Sequence, residues 1–185
     1  MSTAGAPAVL SLAVLISTGA GAQEHIHKRE FVRKLVSKGA FLKTGVSALA
    51  STVTNSPHEW GRTFGGFGKR VASSYGQRAI KGVVEFSTAE LWTHEDLRYH
   101  KSELQGTFPR LKYAVIHTFW VPHDVQPGQT FAAGRVIGAV AAGEISRAWM
   151  PQRVATFGAG MASAGLSLGL DVGFNVLREF WPRRR

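Results

Sequence analysis

The chain has 185 residues, with 22 lysines and arginines against 12 aspartates and glutamates, and it has no cysteine. The lack of cysteine excludes disulfides, thiolate metal sites and cysteine nucleophiles. A net charge of +10 favours an anionic partner. Because no recognised nucleic-acid motif is present, we expect that partner to be anionic lipid or an envelope polymer rather than nucleic acid.

The N-terminus has the pattern of a secretory signal. No lysine or arginine precedes Lys28, an apolar core runs from Val9 to Ile16, and Ala20-Gly21-Ala22 matches the small-x-small site of signal peptidase. This core is too short to cross a bilayer, which needs about 20 apolar residues. We therefore expect residues 1–22 to be removed and residues 23–185 to form one exported domain, in the periplasm or at the cell envelope. The alternative is an N-terminus that is disordered or inserted in lipid.

The remaining chain predicts helices separated by short breaks. Gly39 interrupts the first helical pattern, and no segment shows the period-two alternation of a half-buried strand. The fold class is therefore all-α, a compact bundle of about five to seven helices. The predicted helices cover 28–38, 41–53, about 61–91, about 110–120, a segment that ends at Met150 and a segment after Pro151, with a connector at 94–106 and a loop at 121–128.

Three of these helices carry small residues along one side. Glycines at three- and four-residue steps let two helix backbones approach closely, although each costs about 0.8 to 1 kcal/mol of helix propensity relative to alanine. Close packing, within the chain or in a homo-oligomer, would offset that cost. On this basis Gly165→Leu or Gly169→Leu should destabilise the fold by about 1 to 3 kcal/mol. The glycines predicted to pack are Gly61, Gly65, Gly68, Gly134, Gly138, Gly158, Gly165, Gly169 and Gly173.

Residues 154–177 form a long apolar segment in which Asp171 is the only charged residue. Its valines, leucines and phenylalanines contribute roughly −4 kcal/mol to membrane insertion, and Asp171 together with the small and hydroxyl residues offsets most of that. The balance favours a buried core helix of a soluble or peripherally bound bundle over a membrane span.

The residues that most resemble a site form the heptapeptide His94-Glu95-Asp96-Leu97-Arg98-Tyr99-His100. Imidazole ligates metals or acts as a base, and a carboxylate can fix its tautomer. The spacing matches no ligand motif, since a zinc motif would need histidine at Arg98. An internal ion pair with histidines on the surface fits the same residues. The catalytic candidates are His94, Asp96, Arg98, Tyr99 and His100, and the metal candidates are His94, Asp96, His100 and His123.

Four short motifs occur along the chain: His94-Glu95-Asp96-Leu97-Arg98-Tyr99, Arg110-Leu111-Lys112-Tyr113-Ala114, Gly138 with Ala141-Ala142-Gly143, and Glu179-Phe180-Trp181-Pro182. Together they resemble a family of exported, uncharacterised helical proteins common in acidobacteria. The resemblance covers about residues 60–182. It departs at Leu97, where the group has proline, and at Arg183, where the group has an acidic residue. It implies export and a helical fold, and it carries no activity.

We therefore expect a cell-envelope helical protein with a structural or interaction role at a membrane or anionic surface, bound through its basic segments at 28–43 and 183–185. The alternative is a hydrolase-type or metal-dependent enzyme that uses the heptapeptide, with His94 or His100 as base, Asp96 orienting it and Arg98 binding an anionic substrate. Convergence of these side chains with His117 or His123 in one pocket would favour the enzyme. The sequence identifies no cofactor.

Overall fold

The computed structural model of the chain describes residues 37–96, 98–123 and 127–182. The predicted signal peptide, the predicted helix at 28–38 and the basic tail at 183–185 lie outside these residues, apart from Ser37 and Lys38. The described helices are α1 (Lys38–Val53), α2 (Phe64–Thr88), α3 (Thr107–Phe119), α4 (Ala133–Ser146) and α5 (Phe157–Phe180), and the strands are β1 (Trp120–Pro122) and β2 (Gln129–Phe131). The fold is thus mainly helical, as predicted.

A small antiparallel hairpin is the exception to the all-α prediction. Trp120 pairs with Phe131 and Pro122 with Gln129, so the first strand includes Val121 and Pro122 of the predicted loop at 121–128. Strands of three residues are too short to show an alternating pattern. The expectation that the chain forms no strand is therefore wrong at this point.

Two predicted helix ends also differ from the structure. Gly39 lies inside α1, because the helix begins at Lys38 after Ser37, whose Oγ accepts a hydrogen bond from the Ala40 N–H at 3.2 Å. α4 ends at Ser146 rather than at Met150. α2 runs directly into a π-helix at Ala89–Thr93.

The described residues group into two compact units, the first formed by 37–75 with 146–155 and the second by 76–145 with 156–182. The predicted single domain over 23–185 stays a prediction. Arg70, at 1% exposure, organises the first unit. Its guanidinium donates to the carbonyl oxygens of Ser56 at 3.1 Å and Pro57 at 2.9 Å, and to Asn55 Oδ1 at 3.2 Å. These bonds hold the turn that follows α1.

Glycines bring helices together in the second unit. A Cβ atom added at Gly134 would lie 2.9 Å from the Glu85 carbonyl oxygen, and one added at Gly138 would lie 2.8 Å from the Lys81 carbonyl oxygen, so α4 packs on the backbone of α2. A Cβ atom at Gly143 would lie 2.2 Å from the Gly160 carbonyl oxygen on α5. Side chains at these positions would prevent the contacts.

The other predicted packing glycines do not make such contacts with the described residues. A Cβ atom at Gly65 would meet only Thr63 Oγ1, at 3.9 Å. Gly61 follows a 3₁₀-helix at His58–Trp60, with a φ of 62°, and lies outside α2. Close packing is therefore not confirmed at the remaining positions, where no neighbouring heavy atom lies within 4 Å of the added Cβ atom: Gly61, Gly68, Gly158, Gly165, Gly169 and Gly173.

The predicted burial of the last helix is wrong. α5 has 24 residues, which correspond to about 36 Å at 1.5 Å per residue. Within the described part of the chain it is the one helix whose length and hydropathy, 1.2 on average over its most apolar window, would suffice to cross a membrane. Only 17% of this apolar stretch is buried within the protein. The sequence pattern identified an apolar helix, but not the side on which its apolar residues lie.

Candidate functional site

The heptapeptide begins where the π-helix ends. His94 adopts the left-handed conformation with φ 47° and ψ 48°, which turns the chain away from the helix axis. Glu95 then pairs with His123 in an isolated antiparallel bridge, and the Asp96 N–H donates to the Pro122 carbonyl oxygen at 2.9 Å. The hairpin thus fixes the start of the connector at 94–106.

Glu95 points inward and caps α4. Its Oε1 atom accepts hydrogen bonds from the backbone N–H groups of Ala133 at 2.9 Å and Gly134 at 3.3 Å. A carboxylate is favourable at a helix N-terminus, because the first N–H groups have no partner within the helix and carry partial positive charge. Glu95 belonged to the predicted cluster but to neither candidate list, and its role is structural.

The structure brings two of the candidates together at the surface. Asp96 Oδ2 lies 2.8 Å from His100 Nε2, and Asp96 Oδ1 accepts from the Arg98 N–H at 2.9 Å. The rings of His94 and His123 have centroids 6.2 Å apart. Among the described residues no group of three or more histidine and carboxylate side chains is placed to hold a metal ion. The enzyme alternative stays a prediction. Of its candidate residues, the fold brings the side chains of Asp96 and His100 into contact.

His117 contacts other residues. Its ring stacks on Tyr113 with centroids 3.7 Å apart, and its Nε2 lies 3.0 Å from Gln129 Nε2. Its Nδ1 lies 3.0 Å from the Tyr113 carbonyl oxygen. These contacts are all local to α3 and β2, so no convergence of His117 with the heptapeptide is observed.

Tyr99 does not contact the other candidate residues of the heptapeptide through its hydroxyl, which hydrogen-bonds the end of α5 instead. Its hydroxyl donates to Glu179 Oε2 at 2.8 Å, and Glu179 is 0% exposed. Ser102 donates to the same carboxylate through its N–H at 3.1 Å and its hydroxyl at 2.5 Å. Arg110 completes the set, with Nε 3.1 Å from Glu179 Oε1. One buried carboxylate therefore holds the connector, α3 and α5 together.

These bonds change the proton affinities of the groups involved. Burial alone would raise the pKa of the Glu179 carboxyl, but the hydrogen bonds from Ser102, Tyr99 and Arg110 outweigh it and lower this pKa to about 2. Burial and the neighbouring carboxylate raise the pKa of the Tyr99 hydroxyl well above its usual range. Burial, and then Glu179, raise the pKa of Tyr113. At neutral pH Glu179 is thus an anion and Tyr99 a hydrogen-bond donor.

Glu179 is the last of a series of polar residues that define the inward face of α5. They stand at every fourth position, which places them on one side of a helix. Each hydrogen-bonds a residue of another element of the second unit. The inward face comprises Ser163, Ser167, Asp171, Asn175 and Glu179.

α2 supplies most of the partners in the first half of this face. Ser163 Oγ donates to Gln77 Oε1 at 3.0 Å. Lys81, at 8% exposure, donates to Ser167 Oγ at 3.1 Å and forms an ion pair with Asp171. Further along, Asn175 Nδ2 donates to Thr118 Oγ1 of α3 at 3.0 Å. The single charged residue of the apolar segment is therefore neutralised inside the protein.

The opposite side of α5, its outward face, is apolar and exposed. Six of its nine positions are offset by two residues from the four-residue series of the inward face, which at 100° per residue places them about half a turn from it, and Gly158, Leu166 and Phe180 flank those six. Leu166 and Leu177 each leave 59% of their surface exposed. The outward face comprises Phe157, Gly158, Met161, Gly165, Leu166, Gly169, Gly173, Leu177 and Phe180.

An open pocket of about 450 Å³ lies at the C-terminal end of α5. Lys101 and Arg110 line it together with Leu104, Phe180 and Trp181. Lys101 Nζ donates to the Trp181 carbonyl oxygen at 2.5 Å, and the Arg110 guanidinium lies 4.7 Å from the centre of the Phe180 ring. The pocket thus combines two cations with exposed apolar side chains.

Comparison of the chain with protein-family models, with curated proteins and with solved structures finds no match. Neither Lys81 nor the polar inward face was predicted from the sequence, and Glu179 was named there only as part of a motif, with no role. One signal could have shown the face, namely five polar residues at exact four-residue steps through an otherwise apolar helix. No signal in the sequence indicates that Tyr99, Ser102 and Arg110 meet at Glu179.

Proposed function

We propose that the protein is an exported helical protein of the cell envelope with a structural or interaction role, in which the outward face of α5 contacts membrane lipid. The observation that carries the proposal is the reversed polarity of α5. A surface helix of a water-soluble protein places its apolar side against the core and its polar side in water. α5 does the opposite at most of these positions, since the polar residues of its inward face pair inside the protein and the residues of its outward face are exposed; Arg178, exposed in the last turn, is the exception. Polar residues that face the protein interior and pair there are typical of helices in contact with lipid.

The free energy gained by removing apolar surface from water also supports a contact on the outward face. Moving a leucine, phenylalanine or methionine side chain out of water stabilises a protein by about 1.5 to 3 kcal/mol when burial is complete. Phe157, Leu166 and Leu177 each leave more than half of their surface exposed. Covering the outward face is therefore worth several kcal/mol, and an apolar patch of this kind marks an interaction surface. Either lipid or a second copy of the chain could provide the cover.

Single-cysteine labelling distinguishes contact with lipid from contact with a second copy of the chain. It is straightforward because the chain has no cysteine of its own. Leu166→Cys places a fluorophore on the outward face, and Gln152→Cys places the same fluorophore on an exposed residue of the first unit. The full chain is incorporated into vesicles. Quenching is then measured with nitroxides on the acyl chains and with iodide in the water. We expect acyl-chain quenching and little iodide quenching at position 166, with the reverse at position 152.

Two results would contradict lipid contact. Iodide quenching at 166 equal to that at 152 would leave the outward face in water. A label at 166 that neither quencher reaches would mean that protein covers the face, which would favour the homo-oligomer instead.

The predicted export has a separate test. Mass identification of the N-terminus in the fractionated cell should find Gln23 as the first residue of the mature chain. An intact Met1 on protein outside the cytoplasm would remove the signal peptide from the proposal.

A further inference from the structure

The pocket at the end of α5 contains two cations with donors to spare. An ammonium group has three N–H donors and a guanidinium has five. The bond to the Trp181 carbonyl oxygen uses one donor of Lys101, and the bonds to Glu179 use two of Arg110. Two of these bonds, from Lys101 to the Trp181 carbonyl oxygen and from Arg110 to the Glu179 carbonyl oxygen, cap the end of α5 and offset its partial negative charge. An anion at this end therefore meets cations rather than bare carbonyl oxygens.

Apolar side chains surround these cations. Leu104 and Trp181 line the pocket, and Trp181 is 68% exposed. Tryptophan and other aromatic residues concentrate where membrane hydrocarbon meets the headgroups. The outward face of α5 ends at the same place, with Leu177 and Phe180.

The charges of the pocket favour an amphiphile over a free anion. Glu103 also lines the pocket and opposes any anion there, and the Glu179 carboxylate already balances the charge of Arg110. Arg178, exposed in the last turn of α5, adds a positive charge at this end. Free phosphate would gain only the contacts with cations. A lipid would gain those contacts and the apolar contacts along α5 as well.

We propose that this pocket binds the phosphate group of an anionic phospholipid whose acyl chains lie on the outward face of α5, with Lys101 and Arg110 as the donors. The inference rests on the lipid contact proposed for that face, and it adds the class of lipid and the position of the headgroup.

The test measures the binding of phosphatidylglycerol to the full chain in detergent, by native mass spectrometry. Lys101→Gln removes the charge from the pocket, and Lys112→Gln removes the same charge from an exposed residue of α3 that does not line it. We expect Lys101→Gln to weaken binding about fivefold, the change that corresponds to about 1 kcal/mol for each basic residue near a lipid surface. Lys112→Gln should have little effect, and Lys101→Arg should bind like the unmodified chain.

Lys101 also caps α5, so its loss could weaken the fold. Leu104→Glu avoids this difficulty, because it adds a repelling carboxylate at the pocket and leaves the capping bond in place. It should also weaken phosphatidylglycerol binding. A purely capping role for Lys101 predicts a lower melting temperature for Lys101→Gln and unchanged lipid binding by Leu104→Glu, and that pattern would overturn the proposal.

Three further outcomes would also overturn it. Equal losses of lipid binding for Lys101→Gln and Lys112→Gln would indicate that diffuse surface charge binds the lipid. Phosphatidylcholine that binds as tightly as phosphatidylglycerol would remove the preference for an anionic lipid. Glycerol phosphate that binds as tightly as phosphatidylglycerol would indicate a site for a free anion. If any of these occurs while the label at position 166 is quenched from the acyl chains, the headgroup site fails and lipid contact stands. Iodide quenching at position 166 would instead remove lipid contact itself.

Discussion

α4 and α5 both carry glycines at helical spacing, yet the two helices use them in opposite ways. Gly134 and Gly138 of α4 lie against carbonyl oxygens of α2, where a Cβ atom would come within 3 Å. Gly165 and Gly169 of α5 face outward, with no described heavy atom within 4 Å of an added Cβ. Glycine spacing therefore identifies a helix side that can be approached closely. Glycine spacing does not show whether another helix of the same chain packs against that side.

Polar residues decide the orientation of α5. A buried polar group without a hydrogen bond costs about 1 to 3 kcal/mol, and an unpaired charge costs more. Turning the glycines inward would move Asp171 and Glu179 away from Lys81 and Arg110. Because the two carboxylates are held by cations inside the protein, the apolar side faces out. α4 has no such series of polar residues, so its glycines are able to pack.

The largest expected effect is on the packed side of this comparison. Gly138→Leu should destabilise the fold by about 3 kcal/mol or more, because overpacking costs about 1 to 3 kcal/mol and here the obstacle is backbone. The added Cβ would lie 2.8 Å from the Lys81 carbonyl oxygen. Denaturant unfolding of the purified chain measures the change. A loss below about 1 kcal/mol would mean that α4 does not pack on α2 in this way.

The next effect concerns the inward face of α5. Lys81→Met should destabilise the fold by about 2 to 3 kcal/mol, because it removes a hydrogen-bonded cation from a largely buried carboxylate. Adding Asp171→Leu to that variant should restore part of the stability, since replacing both partners of a buried pair by apolar residues is often neutral. A double-mutant cycle gives the coupling energy. Additive losses would show that Lys81 and Asp171 do not interact.

A pH-dependent effect tests the end of the same face. The pKa of Glu179 is lowered from 4.5 to about 2 in the folded protein, so the unfolded chain binds the proton more readily. The contribution of this group to stability is complete above pH 4.5 and is lost as the pH falls toward 2. Thermal unfolding of the native chain and of Glu179→Gln across this range should show a loss that the variant lacks. Parallel curves would contradict the lowered pKa.

The smallest effect, with the opposite sign, belongs to the exposed side. Gly169→Leu should leave stability unchanged or raise it by up to about 1 kcal/mol, because leucine has the higher helix propensity and nothing obstructs it. This reverses the loss expected from the glycine spacing alone, and the same holds for Gly165→Leu. Denaturant unfolding under the conditions used for Gly138→Leu provides the comparison. A loss of more than about 1 kcal/mol would show that the outward face packs against protein.

Several local features followed from the sequence alone. The break between the predicted helices at 41–53 and 61–91, the connector at 94–106 and the helix after Pro151 correspond to the structure, because turn residues and helical spacing act over a few neighbouring residues. The sequence also identified the heptapeptide as the segment in which histidine, carboxylate, guanidinium and phenol side chains lie closest together in the chain. It could not show that Glu95 caps α4 while Tyr99 contacts Glu179. Neighbours in the chain point to different elements once the backbone turns at His94.

The sequence by itself determined the composition of α5, with apolar residues on one side and a polar residue at every fourth position on the other. The tertiary structure alone decided which side faces the protein, because the partners of the polar side come from residues far away in the chain. Lys81 precedes Asp171 by 90 residues, and Tyr99 precedes Glu179 by 80. A helical pattern records the two sides of a helix, and only long-range hydrogen bonds and ion pairs assign one of them to the interior.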